Sequence, residues 1–246
     1  MAVETERARL DYGYGIGATL ILVNETLAGV IFDFDGVIAD SHPAHLQAWK
    51  DLFRSLGKDV SEAELSFVLE GAKREEILQR FLGELTSEQL RAYGDEKQRL
   101  FQSLASEIKL IDGFADFAAE VEAAGLPMAV ATSGNRERVE SMLESFDLRS
   151  RFCTIVTGED VKKGKPDPAL FQLAARGLQV KQAQILVCED AVSGVLAAKT
   201  AGMKCLAIAA NGRRAKLKEA GADLVVKDFT QVHLNNEVKR IFSALP

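Results

Sequence analysis

The stretch Ala28-Gly-Val-Ile-Phe-Asp33-Phe-Asp35-Gly36-Val37 decides the fold. It opens as a continuous apolar run without period-two alternation, the pattern of a strand buried on both faces of a parallel sheet, and it stops abruptly in acid and glycine. Four further runs have the same character: Leu126 to Thr132, Gln184 to Cys188, Met203 to Ile208 and Asp223 to Val226. Between them lie patterns of helical period at Gly113 to Gly125, Arg136 to Phe146, Ala169 to Gly177 and Ala191 to Gly202, several closed by a glycine suited to a helix C-cap. Strand and helix in alternation predict an α/β fold, a doubly wound parallel sheet of Rossmann type.

One region departs from the alternation. From residue 43 to 107 the spacing stays helical, with breaks at Gly57, Gly71 and Gly83 and a capping-box pattern at Thr86-Ser-Glu-Gln89, which predicts an inserted four-helix domain. The catalytic core is then discontinuous, 27–42 and 108–246. Residues 1–26 carry the turn-like cluster Tyr12-Gly-Tyr-Gly-Ile-Gly17 with no strand before it, and are expected to be a mobile extension rather than a dinucleotide site.

Composition bounds the function. The 246 residues are 47% apolar and 27% charged, with Gly at 19 and Pro at 5, so disordered, collagen-like and linker-dominated chains are excluded. A formal net charge of −6 gives no overall attraction for nucleic acid or an anionic membrane. The apolar run Ala18 to Val23 is too short to span a bilayer and is preceded by acids, so no membrane partner is expected. Three cysteines, Cys153, Cys188 and Cys205, without C-x-x-C spacing argue against a disulfide framework and fit a reducing cytoplasm.

The chemistry is expected at the carboxyl ends of the strands. Asp33 and Asp35 are an i, i+2 pair, and Gly36 permits a sharp exit from the strand. Two like charges about 4 Å apart repel by about 4 kcal/mol at an effective dielectric near 20, which a divalent cation or a shared proton offsets. Glu189-Asp190 adds carboxylates to the same edge, a donor set suited to Mg²⁺. Thr132-Ser133-Gly134-Asn135 precedes a helix start, which in isolation is an ordinary N-cap and in company is a phosphate site. Lys162-Lys-Gly-Lys165-Pro166 is not a P-loop, because Pro166 stands where Ser or Thr would hold the metal, but Lys165 is placed to neutralise a phosphoryl group. A carboxylate nucleophile, a second carboxylate as acid and base, a metal, a hydroxyl and a lysine together describe phosphoryl transfer through an aspartyl-phosphate.

Asp33-Phe-Asp35-Gly36-Val37, Thr132-Ser133-Gly134, Lys165-Pro166 and Glu189-Asp190, in that order, resemble the four motifs of the haloacid dehalogenase superfamily, and the resemblance covers Ala28 to Phe229. The helical insertion resembles the cap of the subgroup containing β-phosphoglucomutase and the phosphoglycolate and sugar-phosphate phosphatases. The resemblance implies Asp33 as nucleophile, Asp35 as general acid then base, Thr132, Ser133, Gly134 and Lys165 on the phosphoryl oxygens, and Asp33, Asp35, Glu189 and Asp190 at the Mg²⁺. In the cap, Asp40-Ser-His-Pro-Ala-His45 to Lys50 and Gly71-Ala-Lys-Arg74 resemble the mutase branch and imply His45, Lys50 and Arg74 at the substrate. Two departures favour a phosphatase of a small phosphorylated metabolite in carbohydrate metabolism over the alternative, a hexose-phosphate mutase. Counted without gaps from Lys97, the expected cap lysine falls at Ser103, and Asn135 stands where the mutase often carries lysine. Trp49 reads as core, and His42 and His233 as ordinary surface residues. A monomer or weak homodimer is expected. A phosphoacceptor signalling domain shares the acidic pocket but has no counterpart of the long insertion.

Overall fold

The computed structural model describes residues 26–70, 72–210 and 212–243. The expectation for residues 1–26 lies outside these, Thr26 excepted. The first run becomes β1 (Gly29–Phe32), followed by β2 (Met128–Ala131), β3 (Thr154–Val156), β4 (Ile185–Glu189), β5 (Lys204–Ile208) and β6 (Leu224–Val226). All pair in parallel, in the order β3-β2-β1-β4-β5-β6. Val30, Ile31 and Phe32 have no solvent exposure, which is why β1 shows no alternation. Strand β3 is the addition to the sequence reading, since three residues are too few to show a period.

Helices cover both faces. Val30, Phe32, Val130 and Leu186 pack with α5 (Phe114–Ala123), α6 (Arg136–Ser145) and the C-terminal segment that ends in α10 (Lys239–Ser243). Here Phe32 meets Phe114 and Phe117 edge-on at 5.4 and 6.2 Å. Ile31, Ala129, Val187 and Cys205 pack on the opposite face with α7 (Ala169–Leu178), α8 (Val192–Thr200) and α9 (Arg214–Glu219). Cys188 and Cys205 are buried free thiols and Cys153 is an exposed one.

Between β1 and β2 lie α1 (His42–Ser55), α2 (Glu62–Leu65), α3 (Arg74–Leu82) and α4 (Ser87–Ser103). The Thr86–Gln89 capping box forms as the sequence predicts, and α2 has its own at Ser61–Glu64. These helices enclose a separate apolar cluster of Trp49, Leu52, Phe53, Val60, Leu65, Ile77 and Leu78. The two chain crossings that join them to the sheet run side by side: Ala39 pairs with Leu110, and the Asp40 amide donates to the Lys109 carbonyl at 2.8 Å. Among the described residues no helix is long and apolar enough to cross a membrane.

Candidate active site

Strands β1 and β4 are neighbours with Phe32 opposite Cys188, so Asp33 and Glu189-Asp190 emerge side by side at the strand ends. The chain leaves β1 toward β2 on one side and β4 toward β5 on the other, which opens a crevice at this point. Gly36, at φ +78°, turns the chain sharply, and a Cβ there would lie 2.5 Å from the His42 ring and 2.6 Å from Asp190 Oδ2. The turn and the close approach both require glycine.

Lys165 joins the carboxylates of two motifs. Its Nζ donates to Asp33 Oδ1 at 2.6 Å and to Glu189 Oε1, and all three side chains are buried. Glu189 Oε2 accepts the amides of Asp190 and Ala191, so this acid is committed to Lys165 and to its own loop. Burial works against the charge on Lys165, but Asp33 and Glu189 outweigh it and raise its pKa. Burial raises Asp33 far above a normal carboxyl; Lys165 opposes the rise, while Glu189, Asp35 and Asp190 add to it. Asp190 is raised by burial and by Glu189, against the pull of Arg213 at 2.8 Å. The edge thus gathers three buried carboxylates, Asp33, Glu189 and Asp190, against two cations, Lys165 and Arg213.

Asp35 lines the same cleft but has different partners. Arg138 Nη1 and Nη2 donate to its two oxygens at 2.8 and 2.6 Å, Ser41 Oγ donates to Oδ1 at 2.6 Å, and His45 Nε2 lies 3.4 Å away. Burial disfavours its charge, yet Arg138 and His45 hold it well below the usual carboxylate range. Ser41 occupies the N-cap position of α1 but makes no cap bond, because its hydroxyl serves Asp35.

Thr132 is buried, and its Oγ1 accepts the Gly134 amide at 3.1 Å, while Asn135 caps α6 through the Arg138 amide. With Ser133 and Gly134, Thr132 lines a cleft of about 580 Å³ whose other walls include Asp33, Asp35, Arg138, Lys165, Glu189 and Asp190 from the sheet side and His42, His45, Trp49 and Arg74 from the helices. A larger cavity of about 710 Å³ lies beyond His42, which borders both, and contains none of the four motifs.

Three sequence expectations change. Lys50 does not line the cleft; it faces Glu62 within the helical insertion. His42 is not an ordinary surface residue, since it is largely buried and stands 3.4 Å from Asp190. Lys97, rather than Ser103, is the lysine of the helical insertion that meets a cleft residue, His45, although it does not itself line the cleft. Its Nζ lies 2.6 Å from His45 Nδ1, and burial with nearby Arg138 lowers its pKa to about 7. Ser103 is exposed and bonded to the Leu100 carbonyl. A signal for Lys97 existed: with Gly94 and Phe101 it forms the buried i, i+3, i+7 stripe of α4. Arg138, three residues beyond Asn135, and Arg213, which bonds Asp190 and the Leu69 carbonyl, are basic residues that no motif singled out. His233 is exposed as expected and pairs with Glu120.

The hard oxygen donors and their excess negative charge fit a divalent cation. Asp33 uses Oδ1 for Lys165 and Asp190 uses Oδ2 for Arg213, which leaves Asp33 Oδ2 and Asp190 Oδ1 without a hydrogen-bond partner among the described residues. No group of three or more acidic, histidine or cysteine side chains among the described residues is gathered closely enough to enclose a metal.

A sequence model of haloacid dehalogenase-like hydrolases matches residues 30–208. A phosphorylated carbohydrates phosphatase of Thermotoga maritima is 32% identical over 227 residues, covering 86% of this chain and 100% of that protein. A β-phosphoglucomutase of Bacillus subtilis is 30% identical over 218 residues, covering 85% and 92%. Among solved structures, a haloacid dehalogenase hydrolase of family IA, variant 3, from Entamoeba histolytica is similar with a TM-score of 0.80 at 26% identity, over 89% of this chain and 100% of that one.

Proposed function

The chain belongs to the haloacid dehalogenase-like hydrolase family, and we propose that it is a Mg²⁺-dependent phosphatase that hydrolyses a small phosphorylated carbohydrate, of the sugar-phosphate or phosphoglycolate type, through an aspartyl-phosphate. The observation that carries this reading is the pairing of buried Asp33 with Lys165 at 2.6 Å on the wall of a cleft shared with Thr132 and Ser133. A carboxylate, its counter-cation and the phosphate-binding turn face one space.

Asp33 attacks phosphorus, and the P–O bond of the ester breaks with its electron pair going to the leaving oxygen; Asp35, which Arg138 and Ser41 hold as a carboxylate, first takes up a proton on releasing one of these bonds and then gives it to that oxygen. Water then forms the new P–O bond, the bond to Asp33 breaks with its pair returning to the carboxylate, and Asp35 takes the proton from water. Lys165, the Thr132 hydroxyl and the backbone amide of Ser133 hold the phosphoryl oxygens through both steps, in a turn fixed by the Gly134 amide on Thr132 Oγ1. Mg²⁺ held by Asp33 and Asp190 supplies charge stabilisation to those oxygens when bound. Glu189 acts through Lys165, and Asp35 through the reacting protons. The helices of residues 43–107 serve as a cap that excludes bulk water.

One observation favours hexose-phosphate isomerisation as a second reading: Lys97 stands against His45, which supports a lysine beside the site of the kind the mutase resemblance implies. Asn135 and the whole-length similarity to a carbohydrate phosphatase support hydrolysis. A panel of sugar phosphates and phosphoglycolate, with phosphate release and isomerisation followed in parallel, separates the two. Net release of phosphate is expected, and isomerisation without release reverses the assignment.

A further inference from the structure

We propose that Arg213 is a latch that holds the helical insertion closed over the cleft by joining the Leu69 carbonyl of the insertion to Asp190 at the sheet edge. Its consequence for turnover rests on the phosphatase reading above; the latch itself does not, and Arg213 belongs to none of the four motifs.

The chain passes between sheet and insertion twice, and the two crossings lie side by side. There Ala39 pairs with Leu110, the Asp40 amide donates to the Lys109 carbonyl at 2.8 Å, and the Ile111 amide donates to the Ile38 carbonyl at 2.9 Å. Two adjacent crossings form a hinge about which the insertion can swing. The bond from Arg213 to Leu69 ties the two bodies elsewhere, between residues 144 positions apart.

Both ends suit a guanidinium. Leu69 lies in the 3₁₀ turn Ser66–Glu70, and carbonyls at the end of such a turn lack an acceptor's partner within it. Arg213 comes from the segment between β5 and α9, and its side chain is 14% exposed. Nη1 donates to the Leu69 carbonyl and Nη2 to Asp190 Oδ2 at 2.8 Å, so the core carboxylate aims the other nitrogen at the insertion. Leu69 lines both the motif cleft and the cavity beyond His42, which places the latch on the seam between the two bodies.

Opening at the hinge breaks the bond to Leu69, which spans the bodies, and spares the bond to Asp190, which lies within the core. The closed form is the one that reacts, because the cleft takes Asp33 and Lys165 from the sheet and His45, Trp49 and Arg74 from the insertion. Loss of the latch shifts the closed–open equilibrium, and kcat/KM falls by the same factor as the closed fraction of the free protein.

Trp49, the single tryptophan, reports this shift, since it is 4% exposed and lines the cleft from the insertion. The test is acrylamide quenching of its fluorescence in Arg213→Ala and in Arg213→Met, which keeps the aliphatic stem, each shown to be folded by circular dichroism. The expected result is a quenching constant about threefold above wild type and a kcat/KM for p-nitrophenyl phosphate about tenfold below it, a shift within the range of one charge-assisted hydrogen bond. Wild-type quenching in the variants overturns the latch whatever the activity, and a change in Mg²⁺ binding by calorimetry without a change in quenching assigns Arg213 to Asp190 alone. Raised quenching with undiminished kcat/KM overturns the part of the latch in turnover. A wild-type protein that releases no phosphate overturns the phosphatase reading and leaves the latch to be decided by quenching.

Discussion

Lys165 Nζ lies 2.6 Å from Asp33 Oδ1, across 132 residues of chain, and its other carboxylate partner is Glu189 at the end of the neighbouring strand. Lys165→Met leaves two buried acids without their shared cation. The expected loss is about 3 kcal/mol at pH 8, shrinking at pH 5 as the acids take up protons, together with a fall in turnover of at least about 1000-fold. Urea unfolding at the two pH values measures the first and phosphate release the second.

Burial of the acids at this edge sets a pH dependence. Asp33 and Asp190 are raised from 3.8 to about 8 in the folded protein, so the folded state binds protons more tightly than the unfolded chain. Their contribution to stability is full below about pH 4 and is lost as the pH climbs through about 8. Asp35, shifted down, works in the opposite sense and costs stability only in acid. Metal-free protein is expected to lose several kcal/mol between pH 5 and pH 8.5, at up to about 1.4 kcal/mol per pH unit for each acid. Asp190→Asn flattens that slope, and so does excess MgCl₂, which binds the folded form. Stability that rises with pH across this window contradicts the account.

Gly194 sits in the first turn of α8, where alanine would ordinarily stabilise a helix by about 1 kcal/mol. Here a Cβ would lie 1.8 Å from Glu189 Oε1. Gly194→Ala is expected to reverse the sign, destabilising the protein by about 2 kcal/mol and lowering turnover about 100-fold by displacing Glu189 from Lys165. Thermal unfolding and p-nitrophenyl phosphate turnover on one preparation check both.

Arg74 reaches the cleft from α3 and packs over Gly94 of α4. Arg74→Ala is expected to raise KM for sugar phosphates about tenfold and that for p-nitrophenyl phosphate less than about twofold, because only the former fills the cap side of the cleft. Steady-state kinetics on both substrates decide it, and equal changes remove Arg74 from the substrate site.

The sheet was legible because buried parallel strands announce themselves as apolar runs ending in polar residues, and β1 did so over Gly29–Phe32. Strand β3 was not, since Thr154–Val156 is too short for any period. The motif residues at strand ends could be read because their types combine into one chemistry. Arg138, His42 and Arg213 could not, because each acts through a partner far away in sequence; Arg138 meets Asp35 across 103 residues. Lys50 shows the converse: it shares α1 with His45, yet only His45 reaches the cleft. Lys97 was the one legible omission, a lysine placed on the buried stripe of its helix.

Phosphoryl transfer to Asp33 is the central claim, and trapping it is the most direct measurement. Protein turning over p-nitrophenyl phosphate with Mg²⁺ is quenched in acid and mapped by peptide mass spectrometry. The account predicts one phosphoryl group on the peptide that contains Asp33, and none in a folded Asp33→Asn variant whose phosphate release is abolished. Undiminished release by that variant, or a phosphoryl group carried on another residue, would contradict it.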